Sequence, residues 1–119
     1  MKQVLVIEDE APIRANLVRF LRLEGYTVSE AHDGEEGVRL ATELRPNLII
    51  CDYMMPKKDG FEVLEALKQN PDTQHIPFYF LSASAEPERL EVAIGKGANG
   101  YLTKPFSLDQ LRTMLANHF

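Results

Sequence analysis

The chain alternates two hydrophobic periods from one end to the other. Each unit opens on a short, nearly unbroken apolar run and continues with apolar residues spaced for one face of a helix. Val4 to Ile7 is the first run, wholly apolar as expected of a strand covered on both faces. Ile13, Leu17, Phe20 and Leu21 then recur at i, i+4, i+7 and i+8, behind a Pro12 suited to a first helical position, and Gly25 stops that helix. Thr27 to Ala31 is a weaker second strand, expected at a sheet edge. Asp33 and Glu36 stand at capping-box spacing ahead of Val38, Ala41 and Leu44, and Arg45-Pro46 ends the helix. Leu48 to Cys51 is the third strand, and Asp59 with Glu62 repeats the cap signal ahead of Phe61, Leu64 and Leu67. Phe78 to Leu81 is the fourth strand. Pro87 opens a fourth helix with Leu90, Ala93 and Ile94 inward, weakened at its end by Gly95 and Gly97. Gly100 to Leu102 is a short fifth strand, and Ser107 with Gln110 caps a last helix built on Leu108, Leu111 and Leu115.

Strands alternating with helices across short loops predict the α/β class, here a single (βα)5 doubly wound parallel sheet with helices on both faces. Right-handed crossovers leave few topologies, and five units suit the flavodoxin-like strand order 2-1-3-4-5. The 119 residues read as one domain, 1–119, long enough to bury a core without disulfides or a structural metal.

Composition removes several alternatives. The chain is 45% apolar and 26% charged, a globular mixture. Eighteen acidic residues against 13 basic ones leave a net charge of −5, which opposes loose binding to phosphate backbones or anionic membranes. No direct nucleic-acid or membrane partner is expected. No apolar run is long enough to span a bilayer, and no secretory leader precedes the first strand. The single Cys51 forms no internal disulfide, so the cytoplasm is the expected compartment. His32, His75 and His118 lack metal-site spacing and read as surface residues.

In doubly wound sheets, ligands bind outside the carboxyl ends of the strands. Glu8 and Asp9 follow the first strand, Asp52 the third and Ser82 the fourth, while Thr103 and Lys104 lie beyond the fifth. Carboxylates converging in one crevice raise each other's pKa, and a divalent cation removes that conflict. All-oxygen ligands, few in number, suit Mg²⁺ completed by a phosphate. A carboxylate can also attack phosphorus to form an aspartyl phosphate. Lys104 then supplies positive charge to phosphoryl oxygens and Ser82 a neutral hydrogen bond. Metal, nucleophile and charge stabilisation are the parts that phosphoryl transfer needs.

The ordered set Ile7-Glu8-Asp9, Cys51-Asp52-Tyr53-Met54-Met55-Pro56, Asp59-Gly60, Leu81-Ser82-Ala83 and Leu102-Thr103-Lys104-Pro105-Phe106 resembles the bacterial response-regulator receiver family of two-component systems, chemotaxis regulators included. The likeness covers the whole chain. It implies a phospho-accepting signalling switch in which Asp52 takes a phosphoryl group from a histidine kinase or phosphotransfer protein. By the same resemblance Asp9 and the backbone carbonyl of Met54 bind Mg²⁺ together with Asp52, and Glu8 assists. Ser82 and Lys104 contact the phosphoryl group, and the Lys104-Pro105 peptide is cis. Such a protein catalyses only its own phosphorylation and a slow hydrolysis back. Ser82 and Tyr101 become a coupled switch that reshapes the surface of the fourth helix, fifth strand and last helix for a downstream protein, with dimerisation on phosphorylation open. Glu8 stands where Asp is more usual, Ser82 where Thr is, and Asn99-Gly100 where an acidic pair often precedes the aromatic.

Two other classes share part of the pattern. An aspartyl phosphohydrolase resembles Asp-x-Asp, but Met54 fills the second acidic position. A flavin carrier of the same fold needs a Ser/Thr/Gly-rich phosphate loop, and Glu8-Asp9-Glu10 would repel that phosphate. Tyr53 is expected as an exposed aromatic and Met54-Met55 as loop packing. Ala11, Ala15 and Val18 suggest a kinase-docking stripe on the first helix, flanked by Arg14 and Pro105. Either a stand-alone regulator or a receiver cut from a longer one fits the sequence.

Overall fold

A computed structural model describes residues 2–55, 58–82, 91, 92 and 94–119. The elements run β1 (Gln3–Ile7), α1 (Ala11–Leu23), β2 (Thr27–Ala31), α2 (Gly34–Leu44), β3 (Leu48–Asp52), α3 (Gly60–Lys68), β4 (Phe78–Ser82), β5 (Gly100–Thr103) and the C-terminal helix α4 (Leu108–Ala116). Residues 91, 92, 94 and 95 are helical, inside the helix expected after the fourth strand. Its Pro87, Leu90 and Ala93, and Pro56 and Ala83 of the sequence motifs, lie outside the described residues. Ile94, expected inward, is exposed. Beyond it Gly97 turns the chain at φ +112°, and Ala98 fills an apolar position under the sheet.

All strand pairs are parallel, in the order β2-β1-β3-β4-β5, as the sequence pattern predicts. Side chains alternate across a strand, so each apolar run feeds two cores. Val4 and Val6 of β1, Leu48 and Ile50 of β3, and Tyr79 and Leu81 of β4 pack with Leu17, Val18 and Leu21 of α1 and Leu111, Met114 and Leu115 of α4. Leu5, Ile7, Ile49, Cys51, Phe78 and Phe80 face the other way, onto Ala41 of α2 and Val63, Leu64 and Leu67 of α3. Fully burying one such aliphatic side chain contributes about 1.5–3 kcal/mol. Two covered faces explain why β1, β3 and β4 carry no polar alternation.

The helix ends follow the expected chemistry with differences. Asp59 with Glu62 and Ser107 with Gln110 form complete capping boxes. At α2 the box is only half formed. Asp33 accepts from the Glu36 N–H, but the Glu36 carboxylate bonds the N–H of His32, one residue further back. Helix α1 begins at Ala11, one residue before Pro12, with no side-chain cap from Glu10. Arg45 closes α2 in the left-handed region, at φ 46°.

Two long-range ties hold the far side of the sheet. Asn99 donates its N–H to the Phe78 carbonyl at 2.8 Å and accepts the Phe78 N–H on Oδ1 at 3.0 Å, clamping β5 to β4. His118, read as a surface residue, instead sits 2.6 Å from the Tyr79 hydroxyl with its ring edge-on, because Tyr79 brings a polar tip to the end of α4.

Candidate functional site

Strand parity places the site. Counting by twos along β1 and β3, Val4-Val6 leads to Glu8 and Leu48-Ile50 leads to Asp52, so both carboxylates leave the sheet on the α1/α4 face. Leu102 leads to Lys104 in the same way. Register makes them neighbours, since Ile7 pairs with Cys51, Asp52 with Leu81 and Ser82 with Thr103. Three separate strands thus deliver two acids and a lysine to one point on the carboxyl edge.

There the Lys104 ammonium lies 2.7 Å from Glu8 Oε1 and 3.2 Å from Asp52 Oδ1. Glu8 is wholly buried and Asp52 nearly so. The backbone fixes each member: Glu8 N–H donates to the Ala31 carbonyl at 3.0 Å, and Lys104 N–H donates to the Ser82 carbonyl at 2.7 Å. Arg14, foreseen only as a flanking charge, donates from Nη1 to the Glu8 carbonyl at 2.8 Å. The Lys104-Pro105 peptide is cis.

Gly60 is a further requirement that sequence reasoning quoted in a motif but gave no job. A Cβ there would sit 2.7 Å from both the Asp52 carbonyl oxygen and Phe80 Cε1, so only glycine lets α3 start against the end of β3. Its N–H donates to the Tyr53 carbonyl at 2.9 Å, closing the loop that follows Asp52.

The electrostatics are those of a site short of positive charge. Burial first, then hydrogen bonding to Asp52, pushes the Glu8 carboxyl up to about 8, against the lowering influence of Lys104. Asp9 is raised by the same causes, burial ahead of Asp52. Burial would lower the Lys104 ammonium, but the hydrogen bond it donates to Glu8 and the charges of Asp52 and Glu8 outweigh it and hold the pKa above its ordinary value. Glu8 Oε2 and Asp9 Oδ1 are buried without a hydrogen-bond partner among the described residues, and the carboxylates of Glu8, Asp9 and Glu10 bring oxygens within 4.8 Å of one another. Unpartnered buried carboxylate oxygens in an all-oxygen set fit a hard divalent cation such as Mg²⁺.

Around this cluster several expectations change. Tyr53 is half-buried, its ring 5.0 Å from Phe61 and 5.8 Å from Phe80, because those rings form the wall beneath the loop. Met54 does not pack and is 67% exposed, while Met55 leans on the core. Val18 is buried and widens the core stripe, so it leaves the suggested docking stripe, whereas Ala11 and Ala15 stay exposed. A cavity of about 400 Å³ lies instead between Ile13, Asn16 and Phe20 of α1 and Lys104, Pro105 and Phe106. Ser82 closes β4 buried at the carboxyl edge, and Tyr101 stands outward at 41% exposure on β5.

A parallel five-stranded sheet with acids and a lysine gathered at its carboxyl edge is an α/β fold with a polar ligand site where such folds place one. Comparison with known proteins makes this specific. Residues 4–116 match the family described as response regulator receiver domain. The transcriptional regulatory protein PdtaR of Mycobacterium tuberculosis is 41% identical over 111 residues, covering 92% of this chain and 53% of that protein. The chemotaxis protein CheY4 of Vibrio cholerae superposes with a TM-score of 0.94 at 32% identity, covering 100% of this chain and 99% of that one. The receiver domain of sensor histidine kinase PA1611 from Pseudomonas aeruginosa, solved with magnesium in its active-site cleft, gives 0.87 at 29% identity over 98% of this chain and 96% of that one. The chain belongs to the response regulator receiver family, whose members are phospho-accepting switches of two-component signalling rather than classical enzymes. It spans about half the length of the curated relatives it matches. No described helix is long and apolar enough to cross a membrane.

Proposed function

We propose that Asp52 accepts the phosphoryl group from a histidine kinase or phosphotransfer protein, within a single receiver unit spanning 1–119 and working in the cytoplasm. The observation that carries this reading is the Lys104 ammonium 3.2 Å from Asp52 Oδ1, beside carboxylate oxygens that lack a partner among the described residues. An Asp52 oxygen attacks phosphorus, the bond from phosphorus to the donor nitrogen breaks, and the departing imidazole keeps the electron pair and takes a proton. The product is an acyl phosphate on Asp52. Lys104 pairs with a phosphoryl oxygen, and Ser82 donates a hydrogen bond to another. Asp9, Asp52 and the Met54 carbonyl would hold Mg²⁺, with Glu8 assisting, and the cation would neutralise phosphoryl charge as it transfers. The cavity between Ile13, Phe20 and Phe106 opens beside Lys104, and there the donor protein is expected to seat an apolar helix.

Loss of the phosphoryl group to water is slow, so chemistry on a small donor is stoichiometric before it is catalytic. With an acyl-phosphate donor and Mg²⁺, the protein should release one equivalent of the acyl group per chain in a burst, then continue slowly. Fast, sustained turnover of phosphate esters without a burst would identify a hydrolase instead.

A further inference from the structure

Glu8 is the cluster member whose contacts differ most from what its place in the sequence suggests. Its side chain is fully buried, and one oxygen is spent on Lys104 at 2.7 Å, closer than Lys104 lies to Asp52 at 3.2 Å. The backbone on which it stands is locked from two sides, by the Ala31 carbonyl and by Arg14. Lys104, in contrast, carries its ammonium on a four-carbon stem with several rotatable bonds, directly ahead of Pro105. A rigid acceptor facing a flexible donor is an anchor. The contact depends on length: Glu extends one methylene beyond Asp, and that reach brings Oε1 to Nζ while Oε2 stays buried without a hydrogen-bond partner among the described residues.

We infer that Glu8 is a positioning residue for Lys104, holding the ammonium at the rim of Asp52 so that it meets the incoming phosphoryl oxygens without first being ordered. An ammonium has three donors, so Lys104 can keep Glu8 while it binds a phosphoryl oxygen. The role rests on the reading that Asp52 is the phosphoacceptor, and it is separate from any help Glu8 gives to the cation. Reach and ligand chemistry distinguish the two. Glu8→Asp keeps the carboxyl group and loses the reach. Glu8→Gln keeps the reach and an acceptor oxygen but has no carboxylate to offer a cation.

Phosphorylation rates of the three proteins, measured with a small acyl-phosphate donor at saturating Mg²⁺, remove differences in cation affinity. Glu8→Asp should then be slower than wild type by up to about a hundredfold, the scale expected when a group in the site is misplaced by about an ångström. Glu8→Gln should retain more of the rate than Glu8→Asp. The Lys104 ¹⁵Nζ ammonium signal, followed by NMR without donor, should be sharp and exchange-protected in wild type and Glu8→Gln and broadened in Glu8→Asp. Equal rates in wild type and Glu8→Asp, or a Glu8→Gln slower than Glu8→Asp, would overturn the positioning role, as would an unchanged Nζ signal. If the wild type itself takes no phosphoryl group, the reading of Asp52 fails first, and the Nζ comparison still judges Glu8.

Discussion

Asp9 brings to the cluster a buried oxygen with no hydrogen-bond partner among the described residues, and its carboxyl is pushed up by burial and by Asp52. Removing it relieves repulsion and, on the proposed reading, deletes a cation ligand together. Asp9→Ala should therefore lose Mg²⁺ affinity by at least about tenfold in a calorimetric titration, while its cation-free form becomes harder to unfold than the cation-free wild type. Equal Mg²⁺ affinity in the two proteins would remove Asp9 from the ligand set. At this scale the sequence showed which residues reach the edge, because strand ends and parity follow from periodicity alone. It did not show whom they touch. The pairing of Glu8 with Lys104, and the packing of Tyr53 on Phe61 and Phe80, depend on side-chain torsions and on the lateral register between strands far apart in sequence. Val18 joins the core for a related reason: α1 is flanked closely enough that its apolar stripe widens beyond Leu17 and Leu21.

The elements themselves were largely legible, since unbroken apolar runs mark strands covered on both faces and the Asp59 and Ser107 boxes mark helix starts. What escaped were the backbone details that tertiary packing decides. Arg45 is left-handed, and Glu36 caps His32 rather than completing a box. Gly60 matters most for the site, because the start of α3 presses on the carbonyl of Asp52. Gly60→Ala should destabilise the fold by about 1–3 kcal/mol, the usual penalty for overpacking, and slow phosphorylation by displacing Asp52. A denaturant midpoint and phosphorylation rate both at wild-type values would show that the contact is slack.

Over the whole molecule, the two-faced core and the strand order leave one edge where ligand chemistry collects. Tyr101 stands outward on β5, paired in register with Phe80 and two places from the Ser82–Thr103 pair. A cavity of about 560 Å³ lies beside it, lined by Tyr79, Asn99, Leu102, Gln110 and Met114. A phosphoryl group on Asp52 would draw the Ser82 hydroxyl toward it, and Tyr101 is expected to turn inward behind that movement. Structures with and without a phosphoryl mimic should differ in both residues, and an unchanged Tyr101 rotamer beside an unmoved Ser82 would rule the coupling out. The topology was readable from the sequence because right-handed crossovers leave few orders for five units. The outward pose of Tyr101 was not, since the choice of a side-chain rotamer leaves no mark on hydrophobic pattern.

Everything downstream depends on where the phosphoryl group lands. Intact-mass measurement after incubation with a small acyl-phosphate donor and Mg²⁺ decides this, with wild type and Asp52→Asn run side by side. Asparagine keeps the shape of the side chain at the end of β3 but offers no carboxylate to attack phosphorus. Wild type should gain a single phosphoryl mass that disappears when Mg²⁺ is chelated before the donor is added, and Asp52→Asn should gain none. A variant that is labelled to the wild-type level would contradict the assignment of Asp52.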